Sequence, residues 1–204
     1  MRARYVVLKR VNVGRESPEL EEFKSEVAER VRQLWTLDQL REHPVFRAYR
    51  DFFWRIGVDP TKNRPASEAL IRRVLRRRAL PVINTLVDSY NLASMESAIP
   101  LAAFDEDELA GELVMREANP GEEVLGIGME KPVTLGGGEV VVEDGEKLVA
   151  VYPYRDADAS KITLATINLL LMICGVPNID DAMLEEATRL GVDYVTRFCG
   201  GTKL

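Results

Sequence analysis

The chain has 204 residues, 46% of them apolar and 29% charged, and a net charge of −6. That balance supports a compact domain with a real core and excludes a collagen, a long coiled coil and a disordered polymer. No run approaches the ~18–20 apolar residues of a membrane span.

Residues 4–13 alternate and are β-branched, which predicts a strand. Ser17-Pro18-Glu19 is a helix start, and Leu20, Phe23, Val27, Val31 and Leu34 follow at spacings of three and four, one apolar stripe. A second helix is expected over residues 44–56, closed by Gly57. A third is expected over 64–78, with Leu70, Val74 and Leu75 inward and Arg72, Arg73, Arg76 and Arg77 along an exposed side. A short helix over 82–90 follows Pro81. Short apolar runs then alternate with Gly and Pro at 113–115, 124–127, 133–135, 139–143 and 148–154, and Asp144-Gly145 marks a hairpin. Residues 166–173 read as a buried central strand, and 180–198 as an amphipathic closing helix. Helices first, strands second and one final helix make an α+β protein.

The charges are segregated. Residues 41–80 hold eleven Lys/Arg against four acids, net +7, which leaves 16 bases and 29 acids, net −13, elsewhere. Arginines alternate with aromatics over residues 46–55, as on surfaces that combine guanidinium forks with base stacking. The plain alternative is a solvated helix face.

Two cysteines without CxxC spacing, Cys174 and Cys199, make no disulfide framework, and the single histidine, His43, leaves a zinc site short of ligands. No metal and no cofactor is therefore expected. The N-terminal apolar stretch is too short for a secretory leader, so a cytoplasmic location is expected. Gly136-Gly137-Gly138 lacks the Lys-Ser/Thr of a phosphate loop, and Gly126-Ile127-Gly128 lacks a third glycine and a following helix; both read as turns. Asp88, Asn91 and Ser94 recur every third residue. They make either a capping network or the polar rim of a pocket.

Residues 86–91, Leu-Val-Asp-Ser-Tyr-Asn, then Pro100-Leu101-Ala102-Ala103-Phe104-Asp105, resemble the B3/B4 domain of the bacterial phenylalanyl-tRNA synthetase β subunit, whose pattern is V-V-D-x-x-N with P-L-H-A-F-D beginning at the ninth residue after the Asn. Arg116 to Glu122 resembles its R-x-A-x-x-G-E segment, and Val142-Glu143-Asp144-Gly145 the next hairpin. The likeness runs over residues 64–174, and Arg64-Pro65-Ala66-Ser67-Glu68 is similar to the free-standing branch. It implies a three-layer B3/B4-like fold over 1–204, with 1–60 a helical N-terminal extension and 61–204 the core. It also implies a tRNA or aminoacyl-tRNA partner and hydrolysis of mischarged ester in trans. The departures matter: the family's editing histidine falls on Ala102, its editing glutamate on Met172, its glycine-rich segment is replaced by Tyr152-Pro153-Tyr154-Arg155-Asp156, and its later threonine-containing editing motif is not found.

The site expected from these segments gives Asp88 and Asp156 the catalytic carboxylates, and Asn91, Ser94, Arg155 and Thr163 the substrate contacts. Arg64, Arg72, Arg73, Arg76 and Arg77 are the RNA-binding face. Competing readings are a non-catalytic RNA-binding module and a small-metabolite or amino-acid binder.

Overall fold

The computed structural model describes residues 2–204. Strand β1 (Ala3–Lys9) leads into α1 (Pro18–Leu34), α2 (Leu37–Glu42), α3 (Pro44–Arg55), α4 (Ala66–Leu75) and α5 (Thr85–Ser97). Then come β2 (Leu101–Asp105), β3 (Val114–Glu117), β4 (Glu123–Val124), β5 (Val133–Thr134), β6 (Val140–Glu143), β7 (Leu148–Val151), β8 (Arg155–Asp156), β9 (Asn168–Cys174), α6 (Asp181–Cys199) and β10 (Thr202–Lys203).

The helices begin where local chemistry starts them. Ser17 accepts from the Leu20 amide at the head of α1, Asn84 from Val87 at the head of α5, and Asp180 from Met183 at the head of α6. The Asn84 cap moves the short helix expected over 82–90 to a longer course. The α4 helix is shorter than expected. Arg77 takes the left-handed conformation (φ 53°), its amide bonds Val74 O and that of Arg78 bonds Arg73 O, which closes the helix. The strand expected over 4–13 stops at Lys9, because Arg10 turns at φ 61°. The run over 148–154 stops at Val151 and doubles back as β8 after the cis Tyr152–Pro153 bond.

One antiparallel sheet has the order β10-β1-β9-β2, a second β3-β6-β7-β8, and β4 pairs with β5 alone. The central place of β9 agrees with its unbroken apolar sequence. β2 and α2 are additional elements. β2 carries no polar alternation because all five of its residues are buried. Side chains alternate across a strand. Leu101, Ala103, Leu171 and Ile173 thus turn one way, and Gly191 of α6 approaches that face so closely that a Cβ would stand 2.8 Å from Leu101 Cδ2 and 2.9 Å from Leu171 Cδ2. Tyr5, Met172 and Ala102 turn the other way, toward the second sheet. Helices, first sheet and second sheet form three layers in an α+β fold. β1 lies inside the first sheet, and α1 and α3 contribute Val27, Val31, Phe46 and Phe53 to the main core, so the first 60 residues are integral to it.

Candidate functional site

Strand register builds the site. In the first sheet Tyr5 pairs with Met172 and Met172 with Ala102. In the second, Met115 pairs with Val142, Val142 with Ala150 and Ala150 with Asp156. Directly paired residues share a face, so each series is one row across its sheet. Ala102, Met172, Ala150 and Asp156 line a pocket of about 70 Å³ together with Phe104, Tyr152, Tyr154 and Arg155. Tyr5, Met115, Val142 and again Met172 line a groove of about 1060 Å³. The two rows thus oppose each other across one cleft, and Met172 divides it into a small compartment and a large one.

Among the described residues, Asp156 is the one carboxyl in the small compartment, and no side chain donates to it. Burial among apolar walls pushes it up to about 7. Its backbone is fixed from both sides: its carbonyl accepts from the Ile127 amide at 3.0 Å, and Gly126 bridges Ala157. Arg155 lies beside it with its guanidinium carbon 4.9 Å from the Tyr154 ring centroid and Nη2 donating to the Tyr154 hydroxyl at 2.9 Å. The Arg155 stem crosses Gly126, where a Cβ would collide with it. The Gly126-Ile127-Gly128 turn therefore seats Arg155.

The other expected site residues lie elsewhere. Asp88 is buried and accepts from Lys24 Nζ at 2.8 Å and the Ile83 amide at 3.2 Å. Burial nevertheless raises its pKa, outweighing the Lys24 contact. With Asn91 it lines a narrow crevice that shares no residue with the Asp156 pocket. Tyr90, on the same helix, is raised first by burial and then by the charges of Asp156 and Asp88. Ser94 is buried and donates to Ile99 O at 2.8 Å. Thr163 Oγ1 accepts from the Ala165 amide at 3.1 Å in an exposed turn. Asp88, Ser94 and Thr163 thus hold the fold, because each side-chain oxygen is engaged by a neighbouring group. Asn91 makes no side-chain hydrogen bond among the described residues.

The arginines gather. Lys62, Arg64, Arg72, Arg73, Arg76 and Arg78 line a concavity of about 340 Å³ floored by Ala69, Leu70 and Pro81, with no acid in its lining. Arg72 is paired with Glu68 at 2.7 Å and Lys62 with Asp59 at 3.9 Å. Arg64, Arg73, Arg76 and Arg78 have no carboxylate partner among the described residues. The C-terminal end of the α4 dipole makes it tolerable to crowd cations there. Arg77 is exposed but outside this lining, turned away by its left-handed backbone. Lys62 and Arg78 belong to the basin and were not singled out by spacing, although Arg78 extends the Arg76-Arg77 run. Leu70 and Pro81 are shared between the basin and the Asp88–Asn91 crevice. Ala66, at the start of α4, lines the Asp156 pocket. At ~1.5 Å rise per residue, Arg73 stands about 10 Å along the helix from it.

The chain matches the B3/4 domain family over residues 48–200. It is 33% identical over 155 residues to the phenylalanine–tRNA ligase beta subunit of Moorella thermoacetica, covering 74% of this chain and 18% of that protein. It is 34% identical over 117 residues to the Psychrobacter arcticus beta subunit, covering 56% of this chain and 14% of that protein. The chain thus spans less than a fifth of the length of these relatives. An N-terminal fragment of the phenylalanyl-tRNA synthetase beta-subunit from Pyrococcus horikoshii superposes with a TM-score of 0.50 at 12% identity, over 99% of this chain and 46% of that one, a likeness of fold. With three quarters of its length matched, the chain belongs to the B3/4 domain family.

Proposed function

We propose that this protein binds the acylated 3′ end of a transfer RNA and hydrolyses the aminoacyl ester in trans, releasing the free amino acid and the uncharged RNA. The observation that carries this reading is Asp156. It is an unpaired carboxyl with a pKa near neutrality, in the same inter-sheet pocket as Ala102 and Met172. Those two paired positions are the ones to which the family likeness assigns the editing histidine and glutamate.

An aminoacyl ester is already activated, so hydrolysis needs a positioned water and a base matched to the working pH. The Asp156 carboxylate takes a proton from water as its oxygen bonds to the ester carbonyl carbon. The tetrahedral intermediate collapses with loss of the ribose oxygen, which receives that proton. Arg155, preorganised on the Tyr154 ring, meets the terminal phosphate. The basin at the end of α4 follows the phosphates further along the strand, and the free amide of Asn91 reaches a ribose or base edge.

Deacylation of a panel of mischarged transfer RNAs tests the reading. Wild type turns over with a rate that rises with pH through about 7, as Asp156 ionises. Asp156→Asn loses roughly 10²–10⁴-fold in rate, the usual worth of a general base, while retaining RNA affinity. Wild-type rates equal to buffer would remove the hydrolase. The absence of histidine and glutamate at 102 and 172 favours a second reading, a binding module without turnover. Tight, salt-sensitive binding with no deacylation is its signature.

A further inference from the structure

Resting on the reading above, we propose that Met172 is a size gate that confines the site to esters of the smallest amino acids. The compartment holding Asp156 is about 70 Å³, less than half the ~150 Å³ of a protein cavity that admits benzene. The attacking water occupies part of it. What remains accommodates a hydrogen, a methyl or a hydroxymethyl group, which are the side chains of glycine, alanine and serine.

The walls explain why the compartment is small. Phe104, Tyr152 and Tyr154 close it, and Tyr152 is pinned by its hydroxyl donating to Gly175 O at 2.8 Å. Ala102 and Ala150, the small members of the two opposed rows, are what leaves any space at all. Met172 is the remaining wall, and it differs from the others because open volume lies on both sides of it. Its far side faces the groove of about 1060 Å³, whose floor is Val7, Leu109, Leu113, Met115 and Leu170. The groove's lining also carries Arg2, Arg4, Glu106, Glu112 and Asp181, and Met172 is the side chain common to it and to the compartment of the reactive carboxyl. Met172 is only 5% exposed, so the partition is closed in the structure. Exclusion by a wall is the effective way to reject a larger side chain, because attraction alone distinguishes methylenes poorly.

The gate predicts how its removal acts. Truncating Met172 joins the two compartments and extends acceptance to branched and aromatic side chains, whose apolar surface then enters the groove. Met115→Ala enlarges the groove without touching the partition, so it leaves selectivity as in wild type.

The test measures binding of non-hydrolysable 3′-amide analogues of aminoacyl-adenosine, alanyl against leucyl, by calorimetry with the full chain. Wild type prefers the alanyl analogue by at least about tenfold, a margin of the size expected per excluded methylene. Met172→Ala lowers or reverses that preference chiefly by gaining leucyl affinity. Met172→Val, a milder truncation suited to a strand, moves it in the same direction should the alanine variant fold poorly. Equal affinity for both analogues in wild type overturns the gate alone, as does a preference untouched by both Met172 variants. Binding of neither analogue to any of the proteins overturns the aminoacyl-end reading, and the gate with it.

Discussion

Asp88, in the segment that matches the family pattern, and Asp156, in one that departs from it, are two carboxyls with opposite surroundings. Asp88 faces Lys24, sixty-four residues away in sequence, and both side chains are below 8% exposed. A buried pair of this kind is costly to break from one side, because the survivor is left charged and unpartnered. Lys24→Ala is therefore expected to destabilise the protein by about 3–5 kcal/mol, and Lys24→Met with Asp88→Leu to recover most of that loss; urea unfolding measures both. Asp156 has no such partner and stays raised by its apolar walls. Nothing in local spacing distinguishes the two aspartates. What separates them is a lysine on α1 and a row of β-sheet neighbours, contacts fixed by topology.

At the scale of elements, most of the chain is readable from its pattern. The stripe from Leu20 to Val31, the Asp144-Gly145 hairpin and the unbroken run of β9 each specify their structure locally. The failures have local causes as well. β2 is buried on both faces and so lacks alternation, and α2 is a single capping box, Thr36 with Gln39, in a stretch with one buried residue. The end of α4 depends on Arg77 accepting a left-handed backbone, a conformation that costs a residue with a Cβ roughly 1–2 kcal/mol. Arg77→Gly should then raise stability by about 1 kcal/mol in thermal unfolding. It should leave RNA affinity close to wild type, since Arg77 stands outside the basin. A large loss of affinity would return Arg77 to the binding face.

Over the whole molecule, charge is arranged so that one concave patch attracts anions while an acidic body repels them. The clustering of arginines could be counted from the sequence. Their convergence on one hollow could not, because Lys62 and Arg64 precede α4 while Arg73, Arg76 and Arg78 end it. Each phosphate contact releases counterions, so replacing Arg73 and Arg76 together by alanine should flatten the slope of log affinity against log salt by about 2 and weaken binding to all sequences alike; filter binding across a salt series measures it. The sheet borders have a consequence of their own. β10 and β8 are two residues each, β2 is wholly buried, and β3 offers four residues whose Arg116 is clasped by Glu122 and Glu143. The longest open margin is the outer edge of β1 before Val7, because β10 covers only Leu8 and Lys9 and the Leu204 amide reaches Val7 O. Arg4 lies in that stretch, a charge of the kind that keeps a foreign strand from adding, so the Arg4→Val protein should polymerise into fibrils at concentrations where the wild type stays dispersed.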